Sequence, residues 1–199
     1  MTTRIPPHDC PAHAYLALHL LARKAAGRKR LGDEMGLGSG HMRKLLTRLV
    51  DKGLARPFST GHEVSEEGHA VTRAAIDGPV LVNARGITAP GRHALVVVRG
   101  ARHRLEDTVA LHDAAVRAGG SGASVFITEP GRGHVMPEGI QFNRRTLRAI
   151  LKGRKPGHDD VVVVGAGTTR ATARLAATAA AMELLGIADL DRLHEGTRA

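Results

Sequence analysis

Two uninterrupted apolar runs, "HALVVVRG" at His93–Gly100 and "DDVVVVGAG" at Asp159–Gly167, constrain this chain more than any other feature. A strand with one wet face alternates apolar and polar residues, whereas consecutive valines suit a pleated strand only when both faces are covered. The runs therefore predict central strands of a sheet with other layers over it. Helical patterns lie between and after them, at "LEDTVALHDAAVRAGG", "RRTLRAILKG" and "TTRATARLAATAAAMELLG". A further strand at "ASVFITEP" and a hairpin or loop at "GRGHVMPEGIQF" complete the pattern. Strands alternating with helices read as a small α/β domain over residues 93–199 with at least some parallel pairing. The last helix is apolar nearly all round, which calls for cover by the sheet and also by a partner subunit.

The first part of the chain has a different rhythm. Tyr15, Leu18, Leu21, Ala22 and Ala25 make one stripe of a first helix that Gly27 ends, and "RLGDEM" makes a short second helix, Arg30 to Met35. In "MGLGSGHMRKLLTRLVDKGL", Ser39 is a candidate N-cap, and Met42, Leu45, Leu46, Leu49 and Val50 recur at helical spacing until Gly53. Two short extended pieces, Leu54 to Phe58 and His62 to Val64, flank a Ser-Thr-Gly turn, and Ser65 can cap a fourth helix whose first turn carries Glu66 and Glu67. Helix, helix, turn, helix, hairpin, helix is the layout of a winged helix-turn-helix domain. The expected organisation is thus α+β at the N-terminus, residues 1–78. A connector with a short strand at Val80–Val82 follows, residues 79–92, and then the α/β domain.

"RKRLGDEMGLGSGHMRKLLTRLVDKGLARPFSTGHEVSEEGHAV" resembles the winged-helix domains of MarR-like prokaryotic regulators. Val64-Ser65-Glu66-Glu67-Gly68 stands where those domains carry a Leu-Thr-Glu-Lys-Gly-like stretch. The chain is also similar, around "VVVRGARHRLEDTVALHDAAVRAGGSGASVFI" and "DDVVVVGAG", to a group of archaeal winged-helix transcriptional regulators with a C-terminal domain of unknown function. That resemblance implies DNA binding and a fold for most of the chain, and is silent on what the second domain does.

Charge bears on the same question. The formal net charge is +10, and the stretch Arg23 to Arg56 alone holds 10 Lys or Arg against 3 Asp or Glu. Clustered cations favour a polyanion, because neutralised phosphates release counterions. Aromatic residues are only 2% of the chain, with no Trp, so the stacking platforms of single-strand binders are scarce and duplex DNA is the expected partner. On the third helix the apolar stripe leaves Gly40, His41, Arg43, Lys44, Thr47 and Arg48 on the open face. Arg43, Lys44 and Thr47 are the base-edge candidates, with Ser39 and His41 at the helix start. Arg28, Lys29 and Arg30 precede the second helix as phosphate contacts, and Arg56, Ser59, Thr60 and His62 belong to the wing. The glycines at positions 36, 38 and 40 suit a tight turn or a backbone close to phosphate. Regulators of this kind bind two half-sites, so a homodimer is expected.

In the second domain, strand ends carry Arg99 and His103 on one side and Gly165, Gly167, Thr168, Thr169 and Arg170 on the other. If they share a crevice, they form a site for a small anionic effector. The simpler reading makes the glycines packing residues and Thr168 or Thr169 a helix cap. His103, His112, His134 and His158 with Asp113 lack metal-ligand spacing, and no nucleophile has a partner base, so neither cofactor, metal site nor catalysis is expected. The basic run Arg144, Arg145, Arg148, Lys152, Arg154 and Lys155 reads as a solvated face. One cysteine, Cys10, and no long apolar segment fit a cytoplasmic protein away from membranes. Two other classes stay open at this point. One is an enzyme acting on a phosphorylated or carboxylate ligand with an accessory winged helix; the other is a nucleic-acid-binding adaptor without effector.

Overall fold

A computed structural model of the chain describes residues 10–73, 75–84, 89–129, 133–135, 149–151, 153–189 and 192. It is a mixed α+β structure that divides into two compact units, residues 1–75 with 187–199, and residues 76–186.

The first unit begins with α1 (Pro11–Arg23), α2 (Arg28–Met35) and α3 (Ser39–Asp51). The hairpin β1 (Ala55–Phe58) and β2 (Gly61–Val64) and then α4 (Glu66–Arg73) follow. Tyr15, Leu18 and Leu21 are buried on α1, and Met42, Leu45, Leu46 and Leu49 on α3, as their spacing requires. Burying one such leucine stabilises the unit by about 2 kcal/mol. α1 stops at Arg23 rather than at Gly27, because Ala26 leaves the helix to pair with His62: Ala26 N–H donates to the His62 carbonyl at 2.9 Å, and His62 N–H donates back at 3.0 Å. Gly27 instead precedes α2, which starts at Arg28, two residues earlier than its apolar pattern suggested.

α4 carries the expected cap. Ser65 Oγ accepts from Gly68 N–H at 3.0 Å and donates to the Gly53 carbonyl at 2.5 Å, tying the helix start to the end of α3. Ser65→Ala should destabilise the first unit by about 1 kcal/mol. Urea titration of both proteins checks this, and equal midpoints would show the cap to be energetically idle.

The second unit is a five-stranded sheet in the order β3-β4-β7-β5-β6. Its strands are β3 (Ile76–Val82), β4 (Arg92–Val98), β5 (Gly122–Glu129), β6 (Gly133–Val135) and β7 (Val161–Gly167). Two helices, α5 (Thr108–Arg117) and α6 (Arg170–Leu185), pack on the sheet and on each other. Every ladder among the described residues is antiparallel, which corrects the expected parallel pairing. β4 and β5 do run the same way, but β7 inserts between them and opposes both. A strand–helix–strand order in sequence says nothing about a third strand arriving later to split the pair.

The stretch expected as a connector contributes the edge strand β3, paired through Val82 to His93 and Ile76 to Val98. The valine runs are central and fully buried, as their composition demands. On one face, Leu95, Val97, Phe126, Val162 and Val164 pack with Ala84, Ile150 and Leu151. On the other lies α6, which α5 of the same chain also covers.

Candidate functional site

α3 is held by its buried stripe against α2 and β1, which turns its other face outward. His41, Arg43, Lys44 and Thr47 are exposed on that face, with Gly40 beside them, and Arg48 is half-buried. The α2–α3 turn is tight. Gly36 takes the left-handed conformation at φ 66°, Leu37 N–H donates to the Gly32 carbonyl at 2.9 Å, and a Cβ on Gly32 would lie 2.8 Å from the Leu37 carbonyl oxygen.

Gly38 and Gly40 have no such constraint. Gly38 has φ −65°, and a Cβ at either position would meet nothing within 4 Å. They leave open space over the first turn of α3, whose N-cap is Gly38 and not Ser39, and which no side chain caps. Ser39 sits inside the helix and is exposed.

The first turn of α2 holds Arg28, Lys29 and Arg30, all exposed, over another uncapped glycine N-cap. Cations at the positive end of a helix dipole are disfavoured by about 0.3–1 kcal/mol each. α4 shows the opposite and ordinary choice, with Glu66 and Glu67 in its first turn. The Ala26–His62 bridge ties the hairpin to the start of α2. Burial, with the Arg28 charge nearby, pushes the His62 imidazole below its ordinary value, so it stays neutral at physiological pH and adds no positive charge to the hairpin. Arg56 Nε donates to Glu63 Oε1 at 2.6 Å across the strands, and Ser59 and Thr60 are exposed at the tip.

The crevice expected in the second unit is not formed. β4 and β7 are antiparallel neighbours, with Val98 opposite Val161 and Arg92 opposite Gly167. Arg99 and His103 therefore follow one end of the sheet and Gly165 to Arg170 lie at the other, about 20 Å away. Each group has a structural task. Arg99 Nη1 donates to Asp160 Oδ2 at 2.7 Å, and Asp77 Oδ2 lies 3.6 Å from Arg99 Nη2 and accepts from Arg154 Nε at 3.0 Å. His103 is exposed on a short 3-10 turn, Arg102–Arg104.

At the other end, Gly165 and Gly167 face α6. A Cβ on Gly165 would collide with the Ala177 backbone, and one on Gly167 would lie 2.5 Å from Thr172 Oγ1 and 2.7 Å from the Ala173 nitrogen. Thr169 caps α6, its Oγ1 accepting from Thr172 N–H at 3.1 Å while Thr169 N–H donates to Thr172 Oγ1 at 3.0 Å. The helix end that was to hold an anion is thus closed by its own hydroxyls. Thr168 and Arg170 are exposed beside it.

Asp160, absent from the expected site, organises the first of these ends. Besides Arg99 it accepts from Gly100 N–H at 3.0 Å and Gly157 N–H at 2.8 Å. Burial raises its carboxyl pKa, but the two N–H donors and the Arg99 guanidinium outweigh it and hold the group below its ordinary value of 3.8. A carboxyl depressed in the folded state contributes stability above its unfolded value, and that contribution fades as pH falls through the folded one. Asp160→Asn should therefore be less stable than wild type at pH 7, with the gap narrowing as pH drops below 3.8. Melting curves across that range test it; a gap independent of pH would contradict the assignment.

Among the described residues no group of three or more His, Cys, Asp or Glu is placed to hold a metal ion. His112 lies over Gly122 with Nδ1 3.3 Å from the Ala123 carbonyl, and His158 Nδ1 lies 3.3 Å from Asp159 Oδ1. The side chain of His134 and residues Arg144, Arg145, Arg148 and Lys152 lie outside the described parts. No described helix is long and apolar enough to cross a membrane.

A basic helix surface with uncapped helix starts in one unit and an antiparallel sheet packed against α5 and α6 in the other define a two-unit α+β protein. Residues 91–184 match a family model described as a domain of unknown function, DUF4443. Among solved structures, the chain is similar to the hypothetical protein PH0730 from Pyrococcus horikoshii OT3, with 21% identity, a TM-score of 0.72, and coverage of 92% of this chain and 98% of that one. That likeness extends the shared fold over both units. No curated protein matches the chain.

Proposed function

We propose that the chain is a DNA-binding transcriptional regulator whose first unit is a winged helix-turn-helix, with α3 as the recognition helix and the β1–β2 hairpin as the wing. The observation that carries this reading is the pair of bare helix starts. α2 and α3 have glycine N-caps, no capping side chain and no acid in the first turn, and α2 adds three exposed cations there. Folding alone disfavours the cations in the first turn of α2; a phosphate backbone seated at the starts of α2 and α3 suits the positive helix ends and the cations together. Arg43, Lys44 and Thr47 then face base edges while Arg28, Lys29 and Arg30 hold the strand.

Duplex operators with two-fold symmetry make a homodimer the expected binding form. In the second unit Arg99 and Gly167 lie at opposite ends of the sheet, and Arg99, Gly165, Gly167 and Thr169 are engaged within the fold, so the arrangement there does not favour a shared anion site. An enzymatic reading loses support for the same reason.

The test is selection by the full chain from a random duplex library. The reading predicts enrichment of a defined, two-fold symmetric sequence over repeated rounds. Binding with steep salt dependence and no enrichment would replace it with a non-specific adaptor.

A further inference from the structure

The chain has three phenylalanines, one tyrosine and no tryptophan, yet one of these few aromatics faces solvent at the end of a hairpin. Phe126 is completely buried in the sheet core, whereas Phe58 is 48% exposed. Phe58 is the last residue of β1, and its cross-strand partner is Gly61, which has no side chain to cover the ring. The turn residues Ser59 and Thr60 are exposed beside it.

The charge of this hairpin is also unlike that of α2 and α3. Arg56 and Glu63 are its only formal charges, they face each other across the strands, and they are bonded at 2.6 Å. From Pro57 to Gly61 there is no ionisable side chain. A hairpin that merely gripped phosphate would carry uncompensated cations, as the start of α2 does. This one presents a ring, a proline and two hydroxyls on a neutral frame, which suits contact with bases and sugars instead.

Resting on the DNA-binding reading above, we infer that Phe58 is an apolar wedge that presses into a base step of duplex DNA beside the α3 contact. The hairpin thereby reads how easily that step unstacks, while α3 reads base edges. Partly unstacking a step is unfavourable, and stacking against the ring offsets it most where the step is flexible.

The experiment uses the full chain and a fluorescein-labelled, mixed-sequence duplex pool at several salt concentrations. Phe58→Ala should weaken binding about tenfold, the size of one lost base–aromatic contact. The slope of log affinity against log salt should be unchanged, because no phosphate contact is removed. Phe58→Trp should bind like wild type, and its emission, the only tryptophan signal in the chain, should be quenched by added duplex.

Equal binding by wild type and Phe58→Ala, or unquenched emission from Phe58→Trp, would overturn the wedge and leave the α3 reading standing. A fall in affinity with a shallower salt slope would also overturn it, by making the hairpin a phosphate grip. Loss of self-association in Phe58→Ala at unchanged DNA affinity would assign the ring to a second copy of the chain instead. No duplex binding by wild type at any salt would overturn the wedge and the α3 reading together.

Discussion

Replacing Arg43 and Lys44 together by alanine should lower affinity for a selected duplex about a hundredfold at matched salt. Each is an exposed side chain on the outer face of α3, away from the Met42, Leu45, Leu46 and Leu49 stripe that anchors the helix. A side chain hydrogen-bonded to a base edge is worth about 1–3 kcal/mol against the wrong base, so the loss of two gives this order of effect. Exposed substitutions of this kind shift stability by only about 0.5 kcal/mol, so the melting temperature should hold. The double variant should also lose discrimination between the selected sequence and a scrambled one. Wild-type affinity in the double variant would remove α3 from the interface.

The largest effect on stability belongs to Gly165→Val. The glycine lies on β7 where α6 crosses, and any Cβ there runs into the Ala177 backbone, with the Ala173 carbonyl oxygen 2.9 Å away. Backbone atoms of a helix that also packs on α5 cannot step aside as a flexible side chain would, so β7 and α6 must separate. Overpacking of this kind costs about 1–3 kcal/mol even where neighbours can move, and here the helix has to shift as a unit. A loss of at least 3 kcal/mol corresponds to about 6–12 °C in melting temperature for a protein of this size. Calorimetry checks this, with Gly100→Ala as a comparison where a Cβ meets nothing within 4 Å but φ is +61°. If Gly165→Val melts with wild type, the close approach of α6 to β7 is not a feature of the folded protein.

Much of the first unit was legible in the sequence because its signals are local. Met42, Leu45, Leu46 and Leu49 are spaced for one helix face, and Ser-Thr between two short extended pieces is a hairpin turn; Ser65 before two glutamates is a helix cap. What misled was tertiary. Leu21, Ala22 and Ala25 continue a helical stripe, but Ala26 is taken by His62, 36 positions along the chain, and the helix ends early. Gly38 rather than Ser39 takes the cap position, a shift of one residue that local pattern cannot resolve.

In the second unit the valine runs announced buried strands without announcing direction, since an apolar run reads the same both ways. The supposed crevice depended on that direction. Once β7 opposes β4, Arg99 and Gly167 part company, and Arg99 finds Asp160 and Asp77, acids that nothing in their own neighbourhoods marked as its partners. The exposed cations of α2 were readable from the start, but not their unfavourable position at a bare helix end.

Under the proposed function the first unit meets duplex DNA through α3, the start of α2 and the hairpin. Backbone amide shifts of the chain, followed by NMR during titration with a selected duplex, report which residues meet the DNA. The largest changes should fall on Arg28 to Arg30, on Gly38 to Arg48 and on Arg56 to Gly61, with the strands β4, β5 and β7 unmoved. Changes confined to the second unit, or no changes at saturating duplex, would contradict it.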